Sequence, residues 1–94
     1  MAKKIIEFYG AECPYCMALE EAVEKLEDED GIEVEGLEVW HSEENKKRMA
    51  SLKHLYDQNC NGNFVVPSFY DEEKDRLICN PGDYEDLKNW VFAE

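Results

Sequence analysis

The chain begins with a stretch that is apolar on both faces. Residues 3–9, Lys-Lys-Ile-Ile-Glu-Phe-Tyr, interrupt this pattern only at Glu7 and read as a central strand covered on both sides. Gly10 and Ala11 form a loop, and Pro14 sits early in the helix that follows, where its missing N–H costs nothing. Leu19, Ala22, Val23 and Leu26 then recur at i, i+3, i+4 and i+7, which predicts an amphipathic helix to about residue 28 with Glu20, Glu21, Glu24 and Glu27 outside. Gly31 ends it. Residues 33–41 alternate and predict a strand interrupted or bulged near Gly36. Ser42 is an N-cap for a second helix over about 43–58, with Met49, Leu52, Leu55 and Tyr56 inward. Residues 59–63 form a loop, and Phe64 to Tyr70 a strand broken by Pro67. Asp71–Lys74 is a charged turn, and Arg76–Cys79 completes a hairpin. Asn80-Pro81-Gly82 breaks the pattern, and Asp83 caps a last helix with Leu87, Trp90 and Val91 inward. The order is βαβα followed by ββα, with no internal repeat and no linker.

Ninety-four residues, 44% of them hydrophobic, suit one domain over 1–94 with a modest core. No apolar run reaches the roughly 18 residues of a membrane span. Glu7 arrives before an apolar stretch of signal-peptide length, so the expected location is the cytoplasm. Ten basic against 23 acidic residues give a net charge of −13, which disfavours nucleic acid and anionic membranes as partners. Most of that charge reads as a solvated surface, with a basic partner as the alternative.

The four cysteines change the picture. Cys13 and Cys16 stand two residues apart where a strand gives way to a helix. A helix N-terminus offers unpaired N–H groups and a partial positive charge, which favour a thiolate on Cys13. Such a thiolate is the nucleophile of thiol–disulfide exchange, and Cys16 would resolve the mixed disulfide that forms. Tyr15, between them, is expected to be exposed and to shape the substrate surface.

The order of elements, with Cys13-Pro14-Tyr15-Cys16 after the first strand and Val66-Pro67 about fifty residues later, resembles the thioredoxin fold, and the motif is similar to that of glutaredoxins. The resemblance covers essentially the whole chain. It implies an α/β thioredoxin fold, βαβαββα, with a four-stranded mixed sheet flanked by three helices. It also implies a cis proline at Pro67, pairing of the Val66 backbone with substrate, and a glutathione-holding region at Gly82 and Asp83. Glu7, six residues before Cys13, stands where thioredoxins place a buried acid that relays a proton to the resolving cysteine; burial would raise its pKa. The sequence departs from glutaredoxins at three places. Gly10, Ala11 and Glu12 replace the basic residue that precedes the first cysteine, Val65 replaces a threonine, and Asn80-Pro81-Gly82 keeps one glycine of two. Glu12 should repel glutathione's carboxylates and oppose the helix dipole at Cys13.

These readings lead to a monomeric thiol–disulfide oxidoreductase acting on disulfide-containing proteins or glutathione mixed disulfides, with a part in electron transport and cell redox homeostasis. Cys13, Cys16 and Glu7 would be catalytic; Pro14, Tyr15, Val66, Pro67, Gly82 and Asp83 would bind substrate. No tightly bound cofactor or metal is expected; glutathione or a thioredoxin-reductase-type donor would supply electrons. The alternative is a metal or iron–sulfur binding and delivery module that uses the same cysteines. Cys60 and Cys79 read either as unrelated thiols, with Cys79 packed as a small hydrophobe, or as a second pair. His41 and His54 suit surface or packing roles, and Trp40, Trp90 and Phe92 suit core and helix packing.

Overall fold

Residues 3–93 are described in a computed structural model. A four-stranded mixed sheet has the order β2-β1-β3-β4. β1 (Lys4–Tyr9) lies inside it, parallel to β2 (Glu33–Glu38) and antiparallel to β3 (Ser68–Asp71). β3 pairs in turn with β4 (Arg76–Cys79) in the expected hairpin.

The two apolar faces of β1 feed two separate cores. Ile5 packs with Leu26, Phe69, Leu87 and Val91, which brings α2 (Glu20–Asp30) and α5 (Tyr84–Phe92) onto one face of the sheet. Ile6 and Phe8 pack with Met49, Leu55, Tyr56 and Leu77, which places α3 (Glu43–Ala50) and α4 (Lys53–Asn59) on the other. A strand buried this way cannot alternate apolar with polar, which is why its sequence does not. The hairpin turn is tied by Asp71, whose Oδ1 accepts the backbone N–H groups of Glu73 and Lys74. Its Oδ2 is 2.9 Å from Lys3 Nζ, which also donates to the Val91 carbonyl at 2.7 Å. One ion pair thus fastens the start of β1 to the end of β3 and to α5.

Several elements differ from expectation. The helix after the cysteines is broken: α1 (Pro14–Ala18) ends where Leu19 N–H bonds back three residues to the Cys16 carbonyl at 3.2 Å, and α2 continues to Asp30. The helix over 43–58 also breaks, at Ser51–Leu52, where Leu52 N–H reaches the Met49 carbonyl and the Ser51 hydroxyl takes that of Arg48. Three expected helices are therefore five helical segments among the described residues. β2 carries no bulge; it pairs with β1 in unbroken register from Lys4–Glu33 to Tyr9–Glu38, with Gly36 opposite Glu7, and stops at Glu38. β3 begins only at Ser68, because Pro67 has no N–H to give, although its carbonyl still accepts Asn80 N–H at 2.8 Å. Trp40 and Phe92, expected inside, are 43% and 49% exposed. Among the described residues no helix is long and apolar enough to cross a membrane.

Cys60 and Cys79 are joined as a disulfide across a Cα–Cα distance of 6.0 Å, so they are not unrelated thiols. Cys79 lies opposite Ser68 in the hairpin, and Cys60 caps the end of α4. The bond anchors the foot of the 61–67 loop to β4. Closing a loop with 19 residues of sequence separation restricts the unfolded chain. Cys60→Ser should therefore lower the unfolding free energy by about 3 kcal/mol, read from urea melts without reductant. Equal melts for parent and variant would mean that the bond contributes nothing.

Candidate functional site

The C-terminal end of β1, an interior strand, leads directly into the cysteine loop. Cys13 is the N-cap of α1, with extended backbone (φ −76°, ψ 114°), and its Sγ accepts the Cys16 N–H at 3.2 Å. The helix terminus therefore presents an N–H to this sulfur, the arrangement that stabilises developing negative charge. Pro14 fills the first helical position, where it removes no needed donor. Both thiols are free and buried; Cys13 is 2% exposed. Burial, then the contact with Cys13, pushes the Cys16 thiol up to about 12. Cys16 is thus held as a neutral thiol at physiological pH.

Two further residues, Val66 and Glu7, meet this pair. The Val66–Pro67 peptide is cis, and the Val66 carbonyl oxygen lies 3.9 Å from Cys13 Sγ. Glu7 and Cys16 line one small cavity of about 290 Å³ together with Gly10, Met17 and Gly36. Gly36 stands opposite Glu7 in the register, and even there a Cβ would come within 3.1 Å of the Tyr9 ring. The missing side chain keeps the cavity beside Glu7 open. Burial, reinforced by the charges of Glu20 and Glu27, raises the Glu7 pKa to about 7.

Gly82 and Asp83 belong to a separate cleft whose lining includes neither Cys13 nor Cys16. They line this cleft, of about 610 Å³, with Tyr15, Lys25, Asn80 and Tyr84, so the structure places them beside the exposed Tyr15. The Asp83 carboxylate is already engaged as the cap of α5, accepting Asp86 N–H at 2.9 Å, and Gly82 N–H donates to the Asp86 carboxylate at 3.2 Å. Lys25 lies over the Tyr84 ring, 4.4 Å from its centroid.

The network that holds the cysteine loop joins residues that no motif links. Glu38, at the end of β2, accepts three backbone N–H groups, from Ala11 at 2.9 Å, Trp40 at 3.0 Å and His41 at 2.8 Å. Desolvation opposes its charge, but these three donors prevail and lower its pKa. His41, far from the motif in sequence, meets Glu12 with Nε2 2.7 and 2.9 Å from the two carboxylate oxygens. The Glu12 hydrogen bond and charge raise the His41 pKa. Glu12 is therefore paired, which weakens the repulsion it was expected to exert at Cys13. Trp40 covers Gly10 so closely that a Cβ there would fall 2.3 Å from the indole. Trp40 and His41, which in sequence suit only packing and surface roles, thus both serve the cysteine loop.

Among the described residues no group of three or more His, Cys, Asp or Glu side chains is placed to hold a metal ion. No family model matches the chain, and no curated protein or solved structure is detectably similar to it.

Glu7 makes stability depend on pH. Folded, it keeps its proton up to about pH 7, whereas a free glutamate side chain loses it near 4.5. Folding takes up a proton between these values, so stability falls as pH rises through that window. Glu7→Gln removes this loss. The variant should exceed the parent by roughly 3 kcal/mol at pH 8 and differ little below pH 4.5, measured by urea denaturation across pH. A difference that does not change with pH would mean that Glu7 titrates like a solvated carboxylate.

Proposed function

We propose that this chain is a thioredoxin-fold thiol–disulfide oxidoreductase that reduces disulfides through Cys13 and Cys16. The observation that carries this reading is the meeting at one helix terminus of four groups: a capping Cys13 sulfur, the Val66 carbonyl, a protonated Cys16 and the near-neutral Glu7. The strand order, with a parallel β1–β2 pair and an antiparallel β3–β4 hairpin, supports the fold assignment.

The reaction follows from the two thiols being unlike. The Cys13 thiolate attacks one sulfur of the substrate disulfide; a Cys13–substrate disulfide forms and the other substrate sulfur leaves as a thiolate. Cys16 is too weak an acid to ionise unaided at neutral pH. Glu7, across the shared cavity, takes its proton when deprotonated, as about half of it is near pH 7. The Cys16 thiolate then attacks Cys13 Sγ, the second substrate thiol departs, and the protein is left as the Cys13–Cys16 disulfide. Two electrons have passed to the substrate, and a glutathione or reductase donor must return them.

Cys13→Ser should abolish exchange, whereas Cys16→Ser should stop at a mixed disulfide visible by mass spectrometry. Full activity in Cys13→Ser would sink the mechanism. Glu7→Gln should slow release of the second thiol without slowing formation of the mixed disulfide, resolved by rapid chemical quench; equal slowing of both steps would assign it a structural role. The donor is tested with a glutathione mixed disulfide in an NADPH-coupled assay. Fast turnover means that the cleft at Gly82 and Asp83 takes glutathione. Turnover of insulin with dithiothreitol, but not with glutathione, makes a reductase the donor.

A further inference from the structure

We propose that the groove between Trp40 and Phe64 selects disulfide-bonded protein segments that carry a large apolar side chain within two residues of the reactive cysteine and a basic residue beyond it. This rests on the dithiol reading above and names the substrate class of that site.

The groove is a separate feature from the cysteine pair. Trp40, Met49, Ala50, Phe64 and Val66 line a space of about 300 Å³, small beside most ligand pockets and suited to one or two side chains. Its two aromatics are 43% and 48% exposed, yet neither is loose. Trp40 is pressed onto Gly10 and its backbone N–H is held by Glu38. Phe64 stacks edge-on against the buried Tyr56, with centroids 5.0 Å apart. Rigid aromatics around an open apolar site are the usual anchors of a protein contact, because little freedom is lost when they are covered.

Val66 fixes the occupant. It belongs to the groove wall, and its carbonyl faces Cys13 Sγ at 3.9 Å. A segment whose cysteine sits at Cys13 and whose backbone follows Val66 is extended there. It advances about 3.3 Å per residue with side chains alternating, so a neighbouring side chain comes to lie over Met49 and Ala50. Charge sets the flank. Among the described residues the one cation on the groove wall, Lys46, lies 3.4 Å from the Glu43 carboxylate, Glu38 holds the Trp40 backbone N–H, and the chain as a whole carries −13. An approaching acidic segment is repelled and a basic one steered in.

The test uses short peptides whose single cysteine carries thionitrobenzoate, released as a coloured thiolate when Cys13 attacks. Peptides with Leu or Gly beside the cysteine, and Lys or Glu beyond, are compared on the reduced full chain. The Leu peptide should react about tenfold faster than the Gly peptide, and the Lys advantage over Glu should shrink as salt rises. Phe64→Ala should bring the Leu-to-Gly ratio close to one. So should Ala50→Glu, which changes an exposed helix position and removes no packing. Equal rates for Leu and Gly peptides in the parent, or a ratio that survives in both variants, overturns the inference. A second probe is the symmetric disulfide of thionitrobenzoate itself, which carries no peptide; an absence of colour release even from it sinks the dithiol reading, and the inference with it.

Discussion

The structure depends on β1 being enclosed on every side. It is hydrogen-bonded along both edges, to β2 and to β3, and buried on both faces by separate cores. A strand held in this way has no freedom of register, since a slip of one residue would exchange the two cores. What it carries at its C-terminal end is therefore placed with the same firmness. Glu7 lies on the strand and Cys13 four residues past its end. Any loosening of Ile5, Ile6 or Phe8 would be felt at the sulfur.

The loop between β1 and Cys13 needs its own restraint, and it comes from a single carboxylate. Glu38 collects N–H groups from Ala11, Trp40 and His41, and so ties the cysteine loop to the segment after β2. The same tie sets Trp40 over Gly10 and brings His41 to Glu12. On the opposite side, the Cys60–Cys79 bond anchors the loop that leads to Val66 and Pro67. The cysteine pair thus sits between two tethered loops on a rigid sheet, as precise positioning requires. The acidic surface, which looked unfavourable beside Cys13, is locally balanced by the His41–Glu12 pair.

Most of the architecture was legible in the chain because it rests on local patterns. Two-sided apolarity marked β1, i, i+3, i+4 spacing marked α2, and the caps Ser42 and Asp83 marked the starts of α3 and α5; both side chains do accept the expected N–H. The misreadings have separate sources. Gly36 looked like a bulge because glycine weakens a strand, but here it stands where Glu7 needs an open neighbour. The breaks at Leu19 and Ser51 are single three-residue hydrogen bonds that no periodicity announces. Apolarity alone suits Trp40 and Phe92 to core and helix packing, although apolar residues are common on protein surfaces.

By itself the sequence determined the order of elements, the apolar faces that build both cores, and the cysteine pair at a helix start. It could do so because these are set by neighbours within a few positions. Tertiary structure alone decided that Val66 faces Cys13 across 53 residues, that Glu7 and Cys16 share a cavity, that Cys60 meets Cys79, and that His41 pairs with Glu12. Those meetings depend on which edges of β1 are paired and on how each loop returns to it. Distances of that kind are settled by the packing of the whole chain and leave no local trace in it.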